Sequence, residues 1–207
     1  METLPVLFVV TSLILIITPG QDMLLVMSRS ISQGWRAGVA TAAGVSTGLL
    51  GHTVLAALGL GAVLSASELL FTAIKLVGGF YLIYLGIKLL RSRPAGLALG
   101  GMPPASLKKT FLQGAISNIS NPKITIFYFA YLPQFIPSGE GHTTLRLLTL
   151  GIAFALLTFM VKGPIGYGAG LLSGWLRSRP TVIGWTNRLS GIVLVGLGLR
   201  LALERRN

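Results

Sequence analysis

Apolar stretches of about 20 residues recur along this chain, each long enough at about 1.5 Å of helical rise per residue to cross a hydrocarbon layer of about 30 Å. They are read at about residues 4–27, 37–64, 69–90, 111–135, 147–176 and 189–203. In lipid every backbone N–H and C=O must find a partner inside the protein, so segments of this kind become helices. With 207 residues, 52% of them hydrophobic and 11% charged, the chain also holds more apolar surface than a soluble core of its size can hide. The expected fold is an all-α membrane protein of about six transmembrane helices, with the lipid bilayer as its solvent.

A formal net charge of +12 would suggest a nucleic-acid ligand in a soluble protein. Here the cations sit mainly in short segments between apolar runs, and the tail Glu204-Arg205-Arg206 is too short, with no interleaved aromatics, so no nucleic-acid partner is expected. The absence of cysteine excludes disulfides, thiolate metal sites and cysteine nucleophiles. Residues 4–18 match a signal peptide in hydrophobicity. Met1-Glu2-Thr3 is not a basic n-region, however, and no small-residue cleavage motif follows, so a retained first helix is expected.

Orientation is read from lysine and arginine, because short basic loops stay on the cytoplasmic side. The link after the first span has Arg29 and Arg36, that after the third Arg91, Arg93, Lys108 and Lys109, and that after the fifth Arg177, Arg179 and Arg188. The other links carry Glu68 on one side and Glu140, His142 and Arg146 on the other. Six spans with both termini outside fit this asymmetry. Arg200, Arg205 and Arg206 oppose that placement and leave an odd number of spans as the alternative.

The two halves of the chain resemble one another. Lys75-Leu76-Val77-Gly78 with Gly86 and Lys88 in the third span answers to Arg188-Leu189-Ser190-Gly191 with Gly196, Gly198 and Arg200 in the sixth. Pro19-Gly20-Gln21-Asp22 interrupts the first span and Asn121-Pro122-Lys123 the fourth. Three-helix halves insert with opposite orientation, so the organisation expected is one transporter domain, residues 1–207. It comprises inverted repeats at about 1–91 and 110–207, joined by a basic cytoplasmic link at about 92–109, with helices one and four broken.

Proline removes a backbone donor and clashes with the preceding turn, and the freed carbonyls must be satisfied by protein or water, so broken helices mark cavities. Pro19, Gly20 and Pro122 are the helix-break residues; the half-helices after them point positive dipole ends into the membrane, where they suit a carboxylate. A plain kink packed against a neighbour is the bland alternative. Asp22 is the one acidic residue of the five inside a span. A charge there costs at least about 2.5 kcal/mol on insertion scales, which points to binding a substrate ammonium, carrying a coupling proton, or both in turn; a helix cap is the structural alternative. Lys123, with the amides of Asn118 and Asn121 just upstream, is the complementary charge. It is expected to pair with Asp22 in the empty protein, a pair that a zwitterionic amino acid replaces or that permanently joins the two halves.

Lys75, His52 and Lys162 are weaker candidates. Lys75 is placed to snorkel to the surface, His52 either relays protons or packs, and Lys162, beside Gly163-Pro164 in mid-span, faces the interior. Its partner cannot be read from spacing. Gly44 and Gly48, and Gly166, Gly170 and Gly174, stand four apart and let helices approach closely, within one chain or across a homodimer. Tyr81, Tyr84, Tyr128 and Tyr131 are read as interfacial or packing aromatics. With two histidines and one in-span acid the chain lacks a metal cluster and a paired-carboxylate site, so neither an enzyme nor a cofactor is expected. An uncoupled small-solute channel is the alternative to a carrier.

These motifs together resemble the lysine exporter (LysE) superfamily, and within it the homoserine/threonine exporter (RhtB) branch, over the whole chain. The likeness rests on Thr18-Pro19-Gly20 with Asp22, the glycine-rich second span, Lys75-x-x-Gly78-Gly79-x-Tyr81-Leu82-x-x-x-Gly86, and Phe111-x-x-Gly114-x-x-x-Asn118-x-x-Asn121-Pro122-Lys123, followed by Pro133-Gln134-Phe135. It implies efflux of amino acids or their derivatives across the bacterial inner membrane, in antiport with protons. Gln21 stands where the family usually has a second proline, which implies a milder first break. Lys162 departs from the family pattern, which implies a preference shifted toward neutral or acidic substrates.

Overall fold

The computed structural model describes residues 3–18, 20–66, 68–91, 103–136, 142–169, 171 and 180–203. Pro19, most of the basic link, the turn at 137–141, and Gly170 and Gly174 lie outside the described residues. Helices run in the order α1 (Thr3–Ile17), α2 (Gln21–Gln33), α3 (Trp35–Ala66), α4 (Glu68–Leu90), α5 (Leu107–Ile119), α6 (Pro122–Ile126), α7 (Thr143–Gly168) and α8 (Pro180–Leu203). A π-helical turn (Phe127–Tyr131) and a 3-10 turn (Leu132–Phe135) extend α6. The protein is an all-α membrane protein, as expected. Among the described residues α3, α4 and α7 are long and apolar enough to cross a membrane, and the α1–α2 pair, bent by 54°, makes a fourth such segment. By length alone α8 also reaches across, at roughly 36 Å.

Two expected links are largely helix instead. Ser28-Arg29-Ser30 reads as a polar loop by hydropathy, yet α2 continues through it to Gln33, and a single residue, Gly34, separates it from α3. Gly34 has φ +85°, a left-handed conformation that costs glycine nothing; its N–H donates to Ser30 O at 2.8 Å and its carbonyl accepts from Ala37 N at 3.1 Å. Likewise 180–187, expected as link, opens α8, with the Arg188 guanidinium over the Trp185 ring at 5.8 Å.

Lipid supplies no hydrophobic drive between helices, so small residues that let backbones touch decide which helices meet. α3 and α7 run antiparallel: a side chain at Gly38 would strike the Gly166 carbonyl, and one at Gly151 would strike Thr53. α4 and α8 do the same, since a Cβ at Gly86 would lie 2.7 Å from Gly191 O, and one at Gly198 would lie 2.6 Å from Gly79 O. By contrast α5 runs parallel to α3, with Gly44 against Phe111, Gly48 against Ala115 and Gly114 against Thr41. Gly44, Gly48 and Gly166 are therefore spent on packing within the chain.

Aromatic residues of the π-helical segment fill the centre. Phe127 stacks on Phe154 of α7 with centroids 4.5 Å apart, and Phe135 meets Tyr131 and Phe8 at 5.3 Å each. Tyr128 and Tyr131 thus pack, while Tyr84 is exposed and Tyr81 half-buried on α4. Large apolar side chains such as Leu58, Val77, Phe80 and Met160 face outward, as lipid contact requires.

Candidate functional site

Both interruptions bring the start of a half-helix to one place. At the first, α1 ends with Thr18, whose N–H donates to Ile14 O, and Gly20 caps α2 in an extended conformation with no side-chain bond. At the second, Asn118 O accepts from Asn121 N at 2.9 Å to close α5, and Asn121 then caps α6, its Oδ1 accepting from Lys123 N at 3.1 Å. Pro122 occupies the first helical position of α6, where its missing N–H would have had no intrahelical partner.

Asp22 lies in the first turn of α2, only 2% exposed. It does not cap its own helix. Oδ1 accepts from Ser117 Oγ at 3.1 Å; Oδ2 accepts from Asn118 Nδ2 at 2.8 Å and Asn121 Nδ2 at 3.1 Å, and Lys162 Nζ of α7 stands 3.6 Å from it. Three hydrogen bonds and one ion-pair contact thus hold the carboxylate, three of the four on Oδ2 and one on Oδ1. One side chain thereby joins α2, the end of α5, the second break and α7, and the dipole end of α2 adds favourable positive potential.

The expected Asp22–Lys123 pair is not what forms: the counter-ion is Lys162. Lys123 Nζ turns instead to Leu15 O and Thr18 O, 3.3 Å from each, and so satisfies carbonyls that the end of α1 leaves without helical partners. Gly20 lies alongside it, a Cβ there falling at ordinary contact distance, 3.4 Å, from Nζ. Lys162 is buried one residue before Gly163-Pro164. Pro164 deprives the Met160 carbonyl of its helical donor without ending α7.

His52 joins the cluster at second hand. Its Nε2 is 3.2 Å from Asn118 O, and a carbonyl only accepts, so Nε2 carries the proton. The ring stacks on Tyr128 with centroids 5.5 Å apart, and the Tyr128 hydroxyl meets Thr53 Oγ1 at 3.0 Å. His52 Nδ1 is buried without a hydrogen-bond partner. Lys75 lies half-buried on α4 and is not among the partners of Asp22. Of the sequence candidates, Asp22, Asn118, Asn121, Lys123 and Lys162 converge, His52 touches them through Asn118, and Lys75 stands apart.

Two buried interactions escaped the sequence reading, one inside the cluster and one outside it. Ser117 donates to Asp22; the signal available was its place beside Asn118, one turn before Asn121. Arg29, taken there as a topology marker, is 4% exposed in α2. It donates to Gln33 Oε1 at 2.6 Å, Pro103 O at 2.9 Å and Gln113 Oε1 at 2.6 Å, while Gln33 Nε2 donates to Ala105 O at 3.0 Å. Spacing carried that signal, for Asp22, Val26 and Arg29 recur at helical intervals and all three are buried. Among the described residues no three histidine or acidic side chains converge on a point that could hold a metal ion.

Comparison with known proteins adds a frame to this geometry. A family model described as LysE type translocator matches residues 13–205. An uncharacterised membrane protein of Bacillus subtilis is 33% identical over 92% of this chain and 94% of its own length. The homoserine/homoserine lactone efflux protein of Salmonella typhimurium is 31% identical, covering 96% of this chain and 95% of its own. At 28%, over 94% and 93%, stands the leucine efflux protein of an Enterobacter species. No solved structure matches.

Proposed function

The chain belongs to the LysE type translocator family, and on that premise we propose that it exports amino acids or their derivatives across the bacterial inner membrane in exchange for protons. It is a translocator and not an enzyme. The observation that carries the reading is the buried Asp22, held by Ser117, Asn118, Asn121 and Lys162 where the two broken segments meet. The antiparallel pairings of α3 with α7 and α4 with α8 support two inverted repeats about this point, the plan in which alternating access rocks one half against the other.

In this mechanism Asp22 is the proton carrier. A proton arriving at its carboxylate cancels the charge that holds Lys162, so the tie between α2 and α7 weakens and the halves separate. Lys123 takes the substrate carboxylate: one of its three N–H donors remains after Leu15 O and Thr18 O, and the amide ends of α2 and α6 flank it. Loss of the proton on the cytoplasmic side re-forms the Asp22–Lys162 pair and resets the carrier.

The test is efflux of labelled amino acids from proteoliposomes with and without an imposed pH gradient. Gradient-driven efflux by the wild type, and its loss in Asp22→Asn at equal reconstitution, is the expected result. Flux of equal rate with and without the gradient would instead mark an uncoupled channel.

A further inference from the structure

Substrate charge follows from which groups the cluster leaves unneutralised. Around the breaks stand two cations, Lys123 and Lys162, and one carboxylate, Asp22. The other acidic residue among the described residues, Glu68, opens α4 at a helix end. The charge of Asp22 is already matched by Lys162, and three hydrogen bonds hold its oxygens, so a substrate ammonium has to compete with partners already in place. Asn118 Oδ1, an acceptor without a partner, is turned away against α3, where a Cβ on Gly48 would lie 3.1 Å from it. The positive side is the opposite case. Lys123 is half-buried and rests on two carbonyls, whose partial charges do not amount to a counter-ion. One turn from Lys162 on the same face of α7, the Thr158 hydroxyl is 1% exposed and also lacks a partner.

Exposure runs in the same order. Gln21, Ser120 and Pro122 are exposed, Gly20 and Lys123 are half-buried, and Asp22, Asn118, Asn121 and Lys162 lie behind them. Of the charged side chains in the cluster, Lys123 is therefore the least covered by the chain.

We propose that the preferred substrates are net-anionic amino-acid derivatives, carrying a carboxylate and no uncompensated ammonium: N-acylated amino acids, or amino acids with a second carboxylate. The proposal rests on the export reading above and narrows it. One negative charge neutralises the excess cation of the cluster, whereas a zwitterion leaves that excess in place and buries an ammonium beside an acid, Asp22, that Lys162 already pairs.

Wild-type proteoliposomes are preloaded with labelled N-acetyl-L-leucine or L-leucine, and in a second pair with L-glutamate or L-glutamine. The anionic member of each pair is expected to leave faster by about tenfold or more, the value of a charge-assisted hydrogen bond. Lys123→Gln is expected to erase both preferences, and thermal shift of the detergent-solubilised protein with the same four compounds reads binding where a variant folds but no longer transports. Equal or faster efflux of L-leucine and L-glutamine overturns the charge proposal and leaves export standing. A preference confined to the acyl pair overturns it too, because the acyl group would then be recognised for its bulk. Efflux of none of the four, with no thermal shift, overturns the export reading and this proposal with it.

Discussion

Lys162 Nζ stands 3.6 Å from Asp22 Oδ2, so a lysine in the middle of α7, and not the one that follows Pro122, is the counter-charge of the buried aspartate. Removing one partner of such a pair strands the other away from water, which costs more than removing both. Asp22→Ala is therefore expected to destabilise the protein by about 3 kcal/mol or more. The double variant Asp22→Asn with Lys162→Met is expected to recover most of that loss while remaining inactive. Thermal unfolding in detergent, run beside the efflux assay, checks both outcomes.

His52 is tested by a substitution that keeps one function and drops the other. Its Nε2–H donates to Asn118 O, so glutamine, which has a comparable donor and cannot relay a proton through a ring, separates positioning from relay. His52→Gln is expected to keep coupled efflux within about threefold of wild type, and His52→Phe to lose it, with a cost of about 1–3 kcal/mol for the donor removed. Loss of coupling in both variants would assign the ring a relay role.

Arg29 ties the segment before α5 to α2 through Pro103 O and, with Gln33, Ala105 O. Without cysteine in the chain, Ala105→Cys supplies a single thiol for labelling. Adding Arg29→Ala is expected to raise the labelling rate at that thiol by about tenfold, since two or three bonds to a charged group are lost together. Labelling from the cytoplasmic face alone would also fix the side on which this segment lies.

Glycines at the helix crossings and glycines in open space are expected to behave oppositely. A side chain at Gly44 meets the Phe111 backbone, which cannot move aside, so Gly44→Val is expected to cost about 3 kcal/mol or more and to lower membrane yield. A Cβ at Gly196 meets nothing within 4 Å, so Gly196→Ala is expected to be neutral or to stabilise α8 by up to about 1 kcal/mol. Expression and thermal unfolding of the two variants provide the comparison.

Much of the architecture was legible along the chain because lipid imposes local rules: apolar run length reveals helices, and Pro122 with Asn121 reveals a break. The same rule misplaced the first link, since hydropathy scores Ser28-Arg29-Ser30 as loop, whereas its burial in helix α2 depends on partners at Pro103 and Gln113. Asp22 could be singled out as an acid inside an apolar run without knowing what surrounds it.

Sequence by itself determined that this protein lies in a membrane, that its helices are interrupted beside Asp22 and Lys123, and that small residues line the helix faces. Tertiary structure alone decided that Asp22 belongs to Lys162, that Lys123 serves the carbonyls of α1, and that Gly38 meets Gly166. The physical reason is that hydropathy and backbone chemistry act between neighbours in the chain. Partners on different helices are chosen instead by which surfaces pack closely enough to satisfy every buried charge at once.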